Sequence, residues 1–459
     1  MSAFFADLAL LPGGWAKDVR LDVDASGVLS AVSPDGPAAG AVMLAGPVLP
    51  GIGDLHCHAF QRVMAGLTER RSATADSFWT WRDVMYKFAA RLAPDDLEAI
   101  AAQLYIELLK GGYTSVCEFH YVHNDANGRP FANRAEMSDR LVRAATGVGI
   151  GLTLLPVLYQ TANFGGVPPR DGQRRFVTTV EGFLGIVRAL RDSSAGDPNV
   201  RVGIAPHSLR AVPPEALHDS IRGIDAIDRT APIHIHIAEQ TKEVDDCLAW
   251  SGRRPVEWLL ANQAVSSRWC LVHATHLTED ETAALARSGA VAGLCPTTEA
   301  NLGDGFFPLP GFLAQRGAFG VGSDSNVATS GAEELRLLEY GQRLLHRRRS
   351  VAASAATPSP GLALYQAAVA GGATASGRPI AGLAPGQRAD FLVIDADAPL
   401  VCGRGPDELL DAIVFGGSAN PVRDVFVGGR QMIDQGKHAR EETASAAYRA
   451  AAGRLASSL

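Results

Sequence analysis

The sequence lacks most of the features that would assign it quickly. Its six cysteines (Cys57, Cys117, Cys247, Cys270, Cys295, Cys402) are scattered through 459 residues with no C-x-x-C pair. They read as buried free thiols of a reducing compartment, and the cytoplasm is the expected location. No apolar run approaches the ~20 residues needed to span a bilayer. There is no basic excess: 42 Lys and Arg against 49 Asp and Glu leave a net charge of −7, which advertises neither nucleic acid nor an anionic membrane as a partner. The 48 Gly and 26 Pro are ordinary for a globular chain, so collagen-like and low-complexity readings fall away. The segment Met1–Asp7 has no basic region, and Pro12-Gly13-Gly14 soon interrupts its apolar run, which argues against a secretory signal. Neither G-x-S-x-G nor G-x-x-x-x-G-K-[ST] occurs, so serine-hydrolase and P-loop readings fail.

What is present is an alternation of short apolar runs and longer amphipathic stretches. Eight strand candidates stand out: 53–58, 113–119, 151–158, 201–206, 232–238, 269–273, 290–295 and 318–323. Their β-branched, two-faced apolar character suits strands of a parallel sheet buried on both sides. Helical patterns lie between most of them. One opens at Pro94-Asp95-Asp96, shows Leu97, Ile100, Leu104 and Leu108 on one face, and stops at Gly111-Gly112. Others are expected near 178–191, 214–227, 242–261, 278–288 and 332–346. Eight strands interleaved with helices favour a closed (β/α)8 barrel of the TIM type over an open sheet, and no G-x-G-x-x-G follows the first strand.

The ends differ in style. Residues 1–49 carry short alternating runs such as 19–23 and 28–32. Residues 381–459 repeat the pattern at 390–394, 412–415, 424–427 and 431–433, separated by Gly-rich turns. Both ends are expected to form one small β-sandwich domain, with a terminal helix, around a barrel spanning 50–380. The run His346-Arg347-Arg348-Arg349 follows a helix and reads as a solvated cationic last turn.

The most specific local feature is Pro50-Gly51-Ile52-Gly53-Asp54-Leu55-His56-Cys57-His58. His56 and His58 lie two apart on a strand, so both imidazoles leave one face while Cys57 turns away. Two imidazoles that close are half of a metal site. In His234-Ile235-His236-Ile237-Ala238-Glu239, both histidines share a face and Glu239 falls just beyond the strand. His273 ends the sixth strand and Asp324 the eighth. Barrel active sites form at the C-terminal ends of strands, so these positions converge on one mouth if the fold is a barrel.

With P-G-x-x-D-x-H-x-H on strand one, H-x-x-E on strand five, a His on strand six and an Asp on strand eight, the sequence resembles the amidohydrolase superfamily. The resemblance extends to Leu383–Phe391 in the flanking β region and covers nearly the whole chain. Binuclear members usually bridge two metals with a carboxylated Lys ending strand four, but residues 201–206 contain no Lys. The resemblance therefore implies one divalent metal held by His56, His58, His236 and Asp324. Zn²⁺ is expected, with Fe²⁺ as the alternative. His236 is preferred over His234 because a residue two positions earlier lies ~6.8 Å deeper; His234 reads as a hydrogen-bonded core histidine. The metal would activate water, Asp324 would accept the water proton, Glu239 would protonate the nitrogen of a C=N group, and His273 would stabilise developing charge.

Within the superfamily the sequence is most similar to the formimidoylglutamate deiminase family. The similarity rests on His56–Arg62, Ser77–Arg82, Glu118–His123, Ala205–Arg210 and His234–Gln240. That family converts N-formimidoyl-L-glutamate and water to N-formyl-L-glutamate and ammonia in histidine degradation. Its substrate-contacting positions would fall on Gln61, Arg82, Tyr121, His207 and Arg210. Two guanidiniums suit a small-molecule substrate with two carboxylates, and Phe78, Trp79, Trp81 and Tyr86 around Arg82 argue for a structured lid. His120 and His123 are left unassigned. The competing expectations are a related deaminase acting on a guanine-like or other aminated ring and a metal-free scaffold barrel. Scaffold barrels usually lack some ligands, whereas all four are present here. The family also implies a homodimer.

Overall fold

The computed structural model describes residues 2–69, 78–417 and 419–456. The eight expected barrel strands are Ile52–Cys57, Tyr113–His120, Gly151–Leu158, the interrupted pair Val200–Val202 and Ala205–Pro206, Ile233–Ile237, Trp269–His273, Val291–Leu294 and Ala318–Val321. Strands one, two, three, five, six and seven are buried at every residue, as a parallel sheet covered on both faces requires. Neighbours pair in parallel in chain order. Bridges Ile204–Ile233 and Ser208–His236 join strand four to five, and Cys57–Asp324 joins eight to one. The barrel is closed.

Closure needs a close approach that only glycine permits. A Cβ on Gly322 would stand 2.7 Å from both the backbone N and O of His56. The bottom of the barrel is plugged by the helix Pro360–Ser376, where a Cβ on Gly371 would meet Phe319 O at 1.9 Å.

The helices follow the expected pattern with informative departures. Pro94–Lys110 begins and ends where its signals stand. The stretch expected as one helix over 242–261 is two, Thr241–Ser251 and Pro255–Asn262. Gly252 adopts φ 71° as a left-handed C-cap, and Pro255 has no N–H to continue the helix. The segment around Arg82 is the helix Phe78–Ala89; Ser77 lies outside the described residues.

Strands from both chain ends join one nine-stranded sheet. Ser2–Leu11, inside the end region expected to supply strands, pairs with Gly14–Val23 along nearly its whole length. Val48–Pro50 links it to Phe391–Ile394 from the other end. The sheet curls over its own apolar face, so that the Phe4 ring stands 5.4 Å from Phe391 and 5.2 Å from Phe426, edge to face. The run 412–415, expected as a strand, is instead the last turn of the helix Pro406–Phe415. Leu409, Leu410, Ile413 and Val414 form its buried stripe, a spacing of helical and not strand period. One cysteine also departs from expectation: Cys402 is exposed, while the other five are buried free thiols. It sits in the turn Val401–Gly403, off any apolar face.

Candidate active site

The side chains singled out at the strand ends converge. His56 Nε2 and His236 Nε2 face each other at 3.0 Å. Asp324 Oδ1 lies 3.5 Å from His56 Nε2 and 3.4 Å from His58 Nε2. Backbone pairing fixes this register: Asp324 N–H donates to His56 O (2.8 Å), and His58 N–H donates to Asp324 O (3.0 Å). Asn326 Nδ2 donates to the carbonyls of both His58 and Asp324. Beneath them Asp54 accepts the N–H (3.0 Å) and hydroxyl (2.6 Å) of Ser323, tying strand eight to strand one.

The cluster fits a metal ion. Donors about 2.0–2.1 Å from a tetrahedral ion stand about 3.3 Å apart, close to the 3.0–3.5 Å separations here. His58 Nδ1 donates to Phe119 O at 2.8 Å, which leaves its Nε2 lone pair for the cluster. Burial, reinforced by neighbouring histidines, holds the His56 and His236 rings far below the usual imidazole range and His58 at about 3. All three are therefore neutral, the form a metal needs. Two lone pairs facing each other at 3.0 Å repel unless a cation or a proton lies between them.

Glu239 and His273 stand beside this group. His273 Nε2 is 3.9 Å from both Glu239 Oε1 and Asp324 Oδ2. Burial pushes the Glu239 carboxyl up, to about 7, against the pull of His273 and Arg210. Burial also disfavours a charged His273, but Glu239, Glu299 and Asp324 outweigh it and raise the ring to about 10.

The five further residues meet at the same mouth. Gln61, Arg82, Tyr121, His207 and Arg210 line one pocket with His58, His236, Glu239, His273 and Asp324, under Phe78 and Trp81. Gln61 Nε2 donates to Tyr121 OH at 2.7 Å, and His207 Nδ1 lies 3.0 Å from Ser208 Oγ. Arg210 reaches Glu239 at 3.8 Å. Arg82 is buried, its Cζ 4.5 Å over the Trp79 ring, and no carboxylate pairs with it among the described residues. Two further buried histidines bond backbone carbonyls: His234 Nε2 meets Ala375 O at the barrel floor (2.8 Å), and His123 Nε2 meets Val157 O (2.8 Å).

Sequence reasoning passed over three contributors. Gln173 donates to both Tyr86 OH and Tyr159 OH, fixing two pocket walls. Gln240 donates to Asp304, a buried carboxyl pushed up to about 8 by burial and by Glu239. Glu299 contacts His273 Nδ1 at 3.3 Å. Of these only Glu299 left a readable signal, a carboxylate one helical turn past strand seven.

Comparison with known proteins agrees with this geometry. Residues 48–432 match the amidohydrolase family model, and residues 1–42 match that of the formimidoylglutamate deiminase HutF N-terminal domain. A formimidoylglutamate deiminase of Pseudomonas aeruginosa is 54% identical over 458 residues, 99% of this chain and 100% of that protein. The crystal structure of an amidohydrolase from Brucella melitensis superposes with a TM-score of 0.94 at 47% identity, covering 99% of this chain and 100% of that one. An adenosine deaminase from Xanthomonas campestris, solved with bound zinc, shares the fold at 21% identity (TM-score 0.80, 99% and 98% covered). The chain belongs to the amidohydrolase family and, within it, to the formimidoylglutamate deiminases.

Proposed function

We infer that the chain hydrolyses the formimidoyl C=N group of N-formimidoyl-L-glutamate, yielding N-formyl-L-glutamate and ammonia in histidine degradation. The observation that carries this reading is the pair of buried guanidiniums, Arg82 and Arg210, facing the pocket that receives the His and Asp cluster. A buried guanidinium without a full counter-charge is unfavourable, and a substrate bearing two carboxylates offsets it on binding by two-pronged hydrogen bonds. The near full-length identity to a deiminase of this name supports the same substrate.

His56, His58, His236 and Asp324 would hold one divalent ion, zinc by the character of three imidazoles and one carboxylate. When bound, the ion supplies Lewis acidity and brings water near ionisation at neutral pH. Asp324 Oδ2, turned towards His273, takes the proton of the attacking water. Glu239 gives its proton to the imine nitrogen, which makes the formimidoyl carbon more electrophilic. His273 Nε2 stabilises charge at the tetrahedral centre; the proton held by Asp324 then passes to the amino nitrogen, the hydroxyl proton returns to Glu239, and the C–N bond breaks to give ammonia and the formyl product. Gln61, Tyr121 and His207 orient the formimidoyl end, and Arg82 and Arg210 hold the two carboxylates. A homodimer in the cytoplasm completes the reading.

The test is ammonia release from formimidoylglutamate, guanine and cytosine, with metal analysis on the same sample. Turnover of formimidoylglutamate alone, with about one ion per chain, is expected. Turnover of a ring substrate in its place would overturn the assignment.

A further inference from the structure

We propose that Glu299 is a positioning residue for His273: its carboxylate fixes the ring with Nδ1–H turned away from the pocket and Nε2 presented to the reacting atoms. The proposal rests on the functional reading above.

The geometry is directional. Glu299 Oε1 lies 3.3 Å from His273 Nδ1, and the same oxygen accepts the Cys295 N–H at 2.9 Å. A carboxylate can only accept, so the proton must reside on Nδ1 whatever the total charge of the ring. Nε2, on the far edge, faces Glu239 and Asp324 at 3.9 Å each. Without this contact the ring could swing about its Cβ–Cγ bond, or give up its proton from Nδ1 instead of Nε2 during turnover, and each change removes a usable Nε2 from the pocket.

Glu299 is itself immobilised. It is buried on the helix Pro296–Leu302, next to Thr298, whose hydroxyl meets Ser325 Oγ at 2.9 Å. Thr297 N–H donates to the buried Glu334 at 2.9 Å. The helix after strand seven is thereby tied to the loop after strand eight that carries Asp324. Capping the Cys295 N–H explains one contact of Oε1 and leaves the other unexplained. Histidines that act at metal centres commonly hold their second nitrogen on a carboxylate, and removing such a partner typically lowers activity about 10- to 100-fold.

A double-mutant cycle on the zinc-loaded enzyme separates positioning from capping. Glu299→Gln should lower kcat on formimidoylglutamate about tenfold or more, with KM and zinc content little changed. In the His273→Asn background the same substitution should change kcat less than about twofold, because the group it acts through is gone. An unchanged kcat in the parent, or an equal fold-loss in both backgrounds, would overturn the proposal. Independently of activity, ¹⁵N-histidine-labelled enzyme should show a protonated Nδ1 whose proton resonance is lost in His273→Asn and shifts in Glu299→Gln; an unprotonated His273 Nδ1, or no shift in Glu299→Gln, would also overturn it. If unsubstituted enzyme releases no ammonia from formimidoylglutamate, the functional reading fails instead, and the proton resonance still decides the contact.

Discussion

Replacing Arg82 by Met removes a charge for which the free protein has little use. The guanidinium is buried, its Nε has no hydrogen-bond partner among the described residues, and it lies over the face of Trp79 at 4.5 Å and of Tyr86 at 5.5 Å. Burial lowers its pKa; Tyr86 opposes that shift and repulsion from Arg210 adds to it. The substitution forfeits cation–π attraction of about 0.5–2 kcal/mol. A thioether of similar length returns about 0.3–1.5 kcal/mol against the same rings, and the desolvated charge disappears. The two changes nearly cancel or favour the variant, so the free enzyme should melt at the same temperature or higher. With substrate the sign reverses. A charge-assisted hydrogen bond to carboxylate is worth about 1.5–3 kcal/mol, so kcat/KM should fall about ten- to a hundredfold or more, mostly through KM. Differential scanning fluorimetry without ligand and steady-state ammonia release measure the two halves on one preparation. A variant that melts far lower yet keeps its KM would mark Arg82 as structural and refute the dianion argument.

Other perturbations test the rest of the site and fold. Asp324→Asn should weaken metal retention, read by metal analysis after dialysis, and abolish turnover; full activity with the metal gone would sink the scheme. Glu239→Gln should keep metal and fold while turnover drops by ~10²-fold, the scale of a lost general acid, and loss of metal instead would make it a ligand. At the barrel exterior, burial works against charge on Asp228, but the Thr230 hydroxyl and N–H together with Arg201 and Arg191 hold its carboxyl down at about 2. Its folded pKa is depressed, so the stabilisation is present above the unfolded value of about 3.9 and is lost as pH falls through about 2. Asp228→Asn should lower the urea midpoint at pH 7 by an amount worth at most about 1 kcal/mol, and the gap should narrow between about pH 4 and pH 2; a gap constant with pH would exclude the ion pairs as its cause.

The barrel was legible because buried parallel strands leave continuous apolar runs, and because Pro and Gly mark helix ends whatever the tertiary setting. Where a reading failed, a local signal had been underweighted, as at Gly252 and Pro255, or a short apolar run matched two periods, as at 412–415. The His and Asp positions were legible for a different reason. Strand alternation puts His56 and His58 on one face, and barrel topology brings separated strand ends together. Arg82 was harder to place: the aromatics around it suggest a structured lid, but only the resemblance to the family points its side chain at the substrate. Gln173 gave no signal at all, since its value lies in meeting Tyr86 and Tyr159 from elsewhere in the chain.

The least legible property of the site is its backbone. Ala238, His273, Ala274, Asp324 and Asn326 all adopt left-handed conformations, with φ between 47° and 68°. None is glycine; the conformation costs an ordinary L-residue such as Ala238, His273 or Ala274 about 1–2 kcal/mol, and Asp324 and Asn326 less. Propensity alone would therefore put glycine at these strand ends and lose the side chains that carry the chemistry. The strain persists because neighbouring backbone holds it: Ala274 N–H donates to Ile237 O, His276 N–H to Ala238 O and Asp324 N–H to His56 O, at 3.0, 3.0 and 2.8 Å. Each turn thus aims a polar side chain off its strand and across the mouth, where a relaxed extended residue would continue along the barrel wall. Local preference and local structure disagree where His273 and Asp324 have to meet, as expected of positions kept for function at the expense of stability.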